Sequence, residues 1–195
     1  MKKIIFLHGF FASGSCIPAQ TLRKILEQEI EVITPDLPLH PLAALDVIQK
    51  ICREKHPDLL VGNSCGAFYA QIIASRMGIP ALLGNPHLEM TKFLKERIGA
   101  HEYKSLRANG SQHFVIDEVL IKEFAEVEKN QFNDYRKDQN NRIYGLFGEQ
   151  DGLAHYEPLF LNYYTTSYHF PGGHTPTAEE VELYYVPLVK QMLGM

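Results

Sequence analysis

Only three cysteines occur among the 195 residues, Cys16, Cys52 and Cys65. An odd number without C-x-x-C spacing excludes a disulfide framework and a zinc cluster, and points to a reducing, cytoplasmic setting. Basic runs are equally scarce. The 19 Lys and Arg are dispersed among 23 Asp and Glu, for a net charge of -4. No stretch can track a phosphate backbone, so nucleic acid is not an expected partner. The nine histidines show no H-E-x-x-H or comparable ligand spacing, which argues against a metal centre. Long apolar runs are missing as well. The opening MKKIIFLHGFFASGSC loosely imitates an export signal, but His8 and Gly9 interrupt its apolar stretch. Neither secretion nor stable membrane insertion is expected.

What is present is the balance of a globular chain, 45% hydrophobic and 22% charged, able to bury a core within one domain spanning residues 1–195. Short apolar runs predict strands at Ile4 to Leu7, Val32 to Thr34, Leu59 to Val61, Ala81 to Leu83, Ile143 to Phe147 and Thr166 to Phe170. Between them, Leu42, Leu45, Ile48 and Ile51 recur at helical spacing, as do Phe68, Ile72 and Ile73 ahead of Gly78, a helix stop. Thr177 and Glu180 form a capping-box pattern before Val181, Tyr184, Leu188 and Met192 on one helix face, with Pro187 predicting a kink. This alternation predicts an α/β fold of three layers, α/β/α, with a mostly parallel sheet of about six strands. Residues 86–141 separate two strands by more than one crossover helix requires, and are expected as a small helical cap insertion.

The strongest local signal is VGNSCGAF, where Gly62, Ser64 and Gly66 form G-x-S-x-G between an expected strand and an expected helix. A serine hydroxyl is a weak nucleophile, and a sharp strand-to-helix turn lifts it clear of the sheet toward a base. Asp151, in GEQDGL, follows one strand and His174, in PGGHTPT, follows the next. Loops at the carboxyl ends of parallel strands share one rim, so the chain order Ser, acid, His suits a catalytic triad of Ser64, Asp151 and His174. Glu149 is the rival acid, and Asp151 is preferred because it lies deeper in the loop. Oxyanion donors are expected from the amides of Cys65, after the nucleophile, and of Phe10 in LHGFFASGS, with Phe11 the lesser choice. His8 reads as a buried structural histidine, His101 and His113 as surface residues, and Asp36 as a turn residue.

The opening FLHGF, the elbow, LLGNP, the G-x-x-D loop followed by Tyr156, and GGH with a YYVPLV helix run nearly end to end. On these residues the chain resembles the α/β-hydrolase superfamily, and within it the small bacterial YqiA-like esterases. The resemblance implies triad roles for Ser64, Asp151 and His174 and oxyanion roles for Phe10 and Cys65. The segment from His87 through Asn141 departs from it, and this part would shape the acyl pocket. The expected activity is a serine hydrolase acting on a small-molecule ester or thioester, with no metal or organic cofactor. A peptidase of the same mechanism and a non-catalytic binding protein on the same fold are the alternatives.

Overall fold

The computed structural model describes residues 1–195. Its strands are β1 (Lys2–Leu7), β2 (Ile30–Ile33), β3 (Leu59–Asn63), β4 (Ala81–Gly84), β5 (Gly99–Glu102), β6 (His113–Ile116), β7 (Ile143–Gly148) and β8 (Thr166–Phe170). Six of them form one sheet in the order β2-β1-β3-β4-β7-β8, and every neighbouring pair is parallel. All six strands expected from the apolar runs are present. Strands β3 and β4 are buried at every position, as central parallel strands covered on both faces must be.

The side-chain period of two divides the core into two clusters. Ile5, Leu7, Leu60 and Leu83 point to one face, while Ile4, Phe6, Leu59, Val61 and Leu82 point to the other. Helices α1 (Ile17–Leu26), α2 (Pro41–Lys55) and α3 (Cys65–Met77) follow the first three strands. Ala44, Ile48, Phe68 and Ile73 of α2 and α3 cover the first face, and Ala19, Leu22 and Leu26 of α1 cover the second. The fold is therefore the expected three-layer α/β/α sandwich. Gly78 ends α3 with a left-handed cap whose N–H donates to the Ala74 carbonyl. Helix α1 was not among the expected helices, although its buried Ala19, Leu22 and Leu26 recur at helical spacing.

Residues 86–141 hold more than helices. Alongside α4 (Met90–Lys95) and α5 (Glu118–Lys129) they contain the antiparallel pair β5 and β6. Strand β6, HFVI, alternates exposed and buried residues, so its Phe114 and Ile116 reach a core while His113 and Val115 face water. These residues join Phe93, Leu94 and Phe124 in the cluster that α2 and α3 build. The Asp117 side chain caps α5 by accepting from the Leu120 N–H at 2.8 Å.

Beyond α6 (Glu157–Phe160), the chain ends in α7 (Ala178–Glu180), a π-helical turn over Val181–Tyr185, and α8 (Val186–Leu193). The capping box of Thr177 and Glu180 forms with both reciprocal bonds. The kink expected at Pro187 takes the form of that π turn, in which the Val186 N–H donates to the Val181 carbonyl. Proline cannot donate, and the backbone ahead of it widens. No helix is long and apolar enough to cross a membrane.

Burial separates two leucines that the composition treats alike, since Leu82 is fully enclosed whereas Leu42 is 57% exposed. Leu82→Ala should lower unfolding free energy by about 2–5 kcal/mol through lost burial and a cavity, and Leu42→Ala by about 0.5 kcal/mol or less. Urea denaturation of the two variants reads the difference, and equal losses would contradict the assigned core.

Candidate functional site

Strand order places a switch point between β1 and β3. From β1 the chain runs to α1 on one face, and from β3 to α3 on the other, which opens a crevice at the strands' carboxyl ends. Ser64 sits there, immediately after β3, with φ 57° and ψ -119°. A non-glycine residue in such a region costs on the order of 1–3 kcal/mol and persists only where its surroundings hold it. Here the Ser64 N–H donates to the Gly84 carbonyl at 2.9 Å, and its carbonyl accepts from the amides of Ala67, Phe68 and His87 at 3.0, 3.1 and 3.3 Å. The two motif glycines fit the same turn. A Cβ on Gly66 would land on the Leu7 carbonyl, and one on Gly62 on the Gly66 carbonyl.

His174 and Asp151 arrive from the loops after β8 and β7. The Ser64 hydroxyl lies 2.7 Å from His174 Nε2, and His174 Nδ1 lies 2.8 Å from Asp151 Oδ2. Burial alone would raise the Asp151 pKa, but the bond from His174, the charge of that ring when protonated and the amides of Leu153 and Ala154 hold it below the usual value. An ionised Asp151 can only accept, so Nδ1 carries the proton, and Nε2 is left to accept from the serine. Glu149 is exposed and ties its amide to the Phe170 carbonyl instead.

Three buried polar groups that the sequence reading did not single out fix the histidine loop. Asn85 Nδ2 donates to the carbonyls of Gly173 and His174 at 2.8 and 3.0 Å, while its Oδ1 accepts from the Gly148 amide at 2.6 Å. It thereby joins the acid loop to the histidine loop. Asn63 Nδ2 reaches the His174 carbonyl at 3.4 Å, and the Tyr185 hydroxyl donates to Asn63 Oδ1 at 2.9 Å. The signal available in sequence was an asparagine ending each of two wholly apolar strands, in LLVGN and LLGN. Such a group, once buried, must find partners.

The expected oxyanion donors also lie at the crevice. Cys65 occupies the first position of α3, where an amide has no carbonyl within its own helix, and Phe10 follows Gly9, whose position for a Cβ is 3.5 Å from Ser64 Cβ. Neither the Phe10 nor the Phe11 amide has an intramolecular acceptor. The Phe10 ring is locked edge-on among Phe11, Phe93, Phe114 and Phe124, which sets the loop's position. Burial pushes the Cys65 thiol up to about 12, so it stays protonated.

The remaining candidates find other partners. His8 is buried, accepts the Leu37 N–H at Nε2 over 3.0 Å and donates from Nδ1 to the Gly9 carbonyl over 2.8 Å. Burial lowers its pKa to about 4. Asp36 accepts from the amides of Gly14 and Ala108, fastening the loop after β1 to residues 105–108. His169 pairs with Glu157, His113 with Glu102, and His101 stacks on Phe114. His87, also not singled out, packs between Phe93 and Tyr156 with its ring 6.3 Å from that of His174. Its Nδ1 is buried without a partner, and burial lowers its pKa to about 4.

A cavity of about 650 Å³ opens beside Ser64 and His174, walled mainly by the loop after β1, the start of α1 and residues 93–106. Its size suits a small organic molecule. No group of three or more His, Cys, Asp or Glu side chains is arranged to hold a metal ion.

Residues 3–169 match the family described as "Uncharacterised protein family (UPF0227)". Solved structures share the fold at low identity. Est1E from Butyrivibrio proteoclasticus superposes with a TM-score of 0.67 at 14% identity, over 100% of this chain and 89% of its own. The Paleococcus ferrophilus monoacylglycerol lipase gives 0.67 at 16%, over 98% and 94%. The mouse alpha/beta hydrolase domain-containing protein 10 gives 0.66 at 13%, over 98% and 89%. At such identities the likeness carries the fold, which is that of the α/β hydrolases.

His8 and His87 give this architecture an acid liability. Each has its pKa lowered from 6.5 to about 4, so the unfolded chain binds these protons more readily than the folded one. Their contribution is complete above about pH 6.5 and is lost as pH falls toward 4, about 2 kcal/mol per group at pH 5. Urea midpoints should therefore drop from pH 7 to pH 5, and by less in His87→Phe, which keeps the ring contacts. A pH-independent midpoint would refute the assignment.

Proposed function

The chain belongs to the UPF0227 family, and from that premise we propose that it is a serine hydrolase cleaving carboxylic esters or thioesters through an acyl-enzyme. The carrying observation is the chain of two short hydrogen bonds from Ser64 through His174 to Asp151. Ser64 Oγ attacks the acyl carbon while His174 Nε2 takes its proton, and ionised Asp151 stabilises the resulting imidazolium and holds its tautomer. The tetrahedral oxyanion falls beside the amides of Cys65 and Phe10 at the positive end of α3. Collapse expels the alcohol or thiol, which takes the proton from His174. Water, deprotonated by the same imidazole, then attacks the acyl-serine and releases the acid.

Supporting the ester reading, a neighbour in fold is a monoacylglycerol lipase, and the cavity beside Ser64 has an aromatic wall suited to an acyl chain. No step calls for a metal or organic cofactor. Residues 86–141 act in this reading as the cap that selects the substrate, because Phe93, Arg97, Lys104 and Leu106 of that segment line the cavity. Free cysteines throughout agree with a cytoplasmic setting.

Ser64→Ala should cut turnover of an activated ester such as p-nitrophenyl butyrate by about ten-thousand-fold or more, and abolish labelling by a fluorophosphonate probe. Asp151→Asn should slow turnover by several orders of magnitude with the fold intact. Full-rate hydrolysis by Ser64→Ala would remove the serine from the mechanism. A folded wild-type protein inert to both reagents would instead indicate a binding role.

A further inference from the structure

The cavity beside Ser64 is unusual in its charge. The chain as a whole carries -4, yet the lining contains no Asp or Glu, and its permanently charged members are Arg97 and Lys104. Both come from the segment 86–141 that departs from the rest in pattern. Around them the wall is mostly apolar in area, with Phe10, Phe93, Leu106 and Leu153 beside neutral polar Ser15, Gln20 and Ser105. A concave site of one sign with apolar walls concentrates the opposite charge.

Both cations keep side-chain donors free of protein partners. The Arg97 guanidinium lies 3.9 Å from the Phe93 ring centroid, and its Nη1 donates to the Phe93 carbonyl at 2.7 Å and to exposed Glu96 at 3.4 Å. Its Nε and Nη2 donate to nothing in the protein, so one edge of the fork is free. Stacking and the carbonyl bond fix the plane, which lowers the entropy lost when an anion docks. Lys104 has its backbone N–H tied to the Phe11 carbonyl at 2.7 Å and its ammonium 5.8 Å from the Phe11 ring centroid, with no carboxylate partner.

We propose that the substrate ester bears an anionic group, a carboxylate or a phosphate, and that Arg97 and Lys104 bind it and thereby determine specificity. This rests on the serine-hydrolase reading and names its substrate class. The apolar wall receives the uncharged part, while the planar fork of Arg97 meets two oxygens of the anion and Lys104 supplies a further positive charge. The anion can lie on the acyl side or on the leaving group.

The test compares kcat/KM within two matched pairs: p-nitrophenyl hemiglutarate against its methyl ester, and 1-butyrylglycerol 3-phosphate against 1-butyrylglycerol. The first pair reports a carboxylate on the acyl side, the second a phosphate on the leaving group. In at least one pair the anionic ester should be favoured about tenfold or more, the effect of a charge-assisted hydrogen bond. That preference should shrink in about 1 M NaCl, where the screening length is about 3 Å. It should also shrink in Arg97→Gln, and in Lys104→Gln at a solvent-exposed position that folding does not need. Equal or reversed preference in both pairs, with Ser64 still labelled by a fluorophosphonate, overturns this inference and spares the hydrolase reading. A preference that survives both substitutions also overturns it. Absence of turnover on all four esters together with an unlabelled Ser64 brings down the hydrolase reading, and the inference with it.

Discussion

The Leu7 carbonyl, at the end of β1, occupies the space that a Cβ on Gly66 would need, and the Gly66 carbonyl does the same to Gly62. This close passage of three backbone segments is the constraint on which the site depends. It lets β3 turn into α3 within one residue, which forces Ser64 into a positive φ and lifts its hydroxyl above the sheet edge. The same contact brings the loop after β1 against the serine, with the Cβ position of Gly9 3.5 Å from Ser64 Cβ. Strain at Ser64 is offset by four backbone hydrogen bonds that converge on its own amide and carbonyl.

In the proposed mechanism, a serine held this firmly needs a histidine held as firmly. Asn85 does that by bonding to the acid loop and the histidine loop at once. Tyr185 braces Asn63 from the opposite layer, and its aromatic ring lies where a Cβ on Gly84 would project. The final helix therefore reaches the site through a single phenol. Burial keeps that hydroxyl from ionising, pushing its pKa far above the ordinary value. Sheet, loops and C-terminal helix are coupled at the ends of β3 and β4, so positional accuracy at His174 is a property of the whole fold.

Much of this was legible in the residues. The central strands could be read because burial on both faces demands unbroken apolar runs, and Thr177 with Glu180 because capping is a local exchange of two hydrogen bonds. Ser64, Asp151 and His174 were legible as positions, since strand ends in a parallel sheet share one rim. Less was legible where partners are distant. The β5 and β6 pair has a four-residue alternation too short to separate from loop. The partners of Asn85 lie 63 to 89 positions away, and the orphaned Nδ1 of His87 exists only because Phe93 and Tyr156 close around it. The positive lining of the cavity, likewise, emerges only when residues 97 and 104 are brought over the switch point.

The proposed mechanism requires a covalent acyl bond at Ser64. Rapid acid quench of the enzyme during turnover of an ester, followed by peptide mass spectrometry, measures it directly. A mass gain equal to the acyl group minus a hydrogen is expected on the peptide holding Ser64, formed and lost at rates consistent with turnover. Turnover without that adduct, or with the acyl group on a cysteine instead, would contradict it.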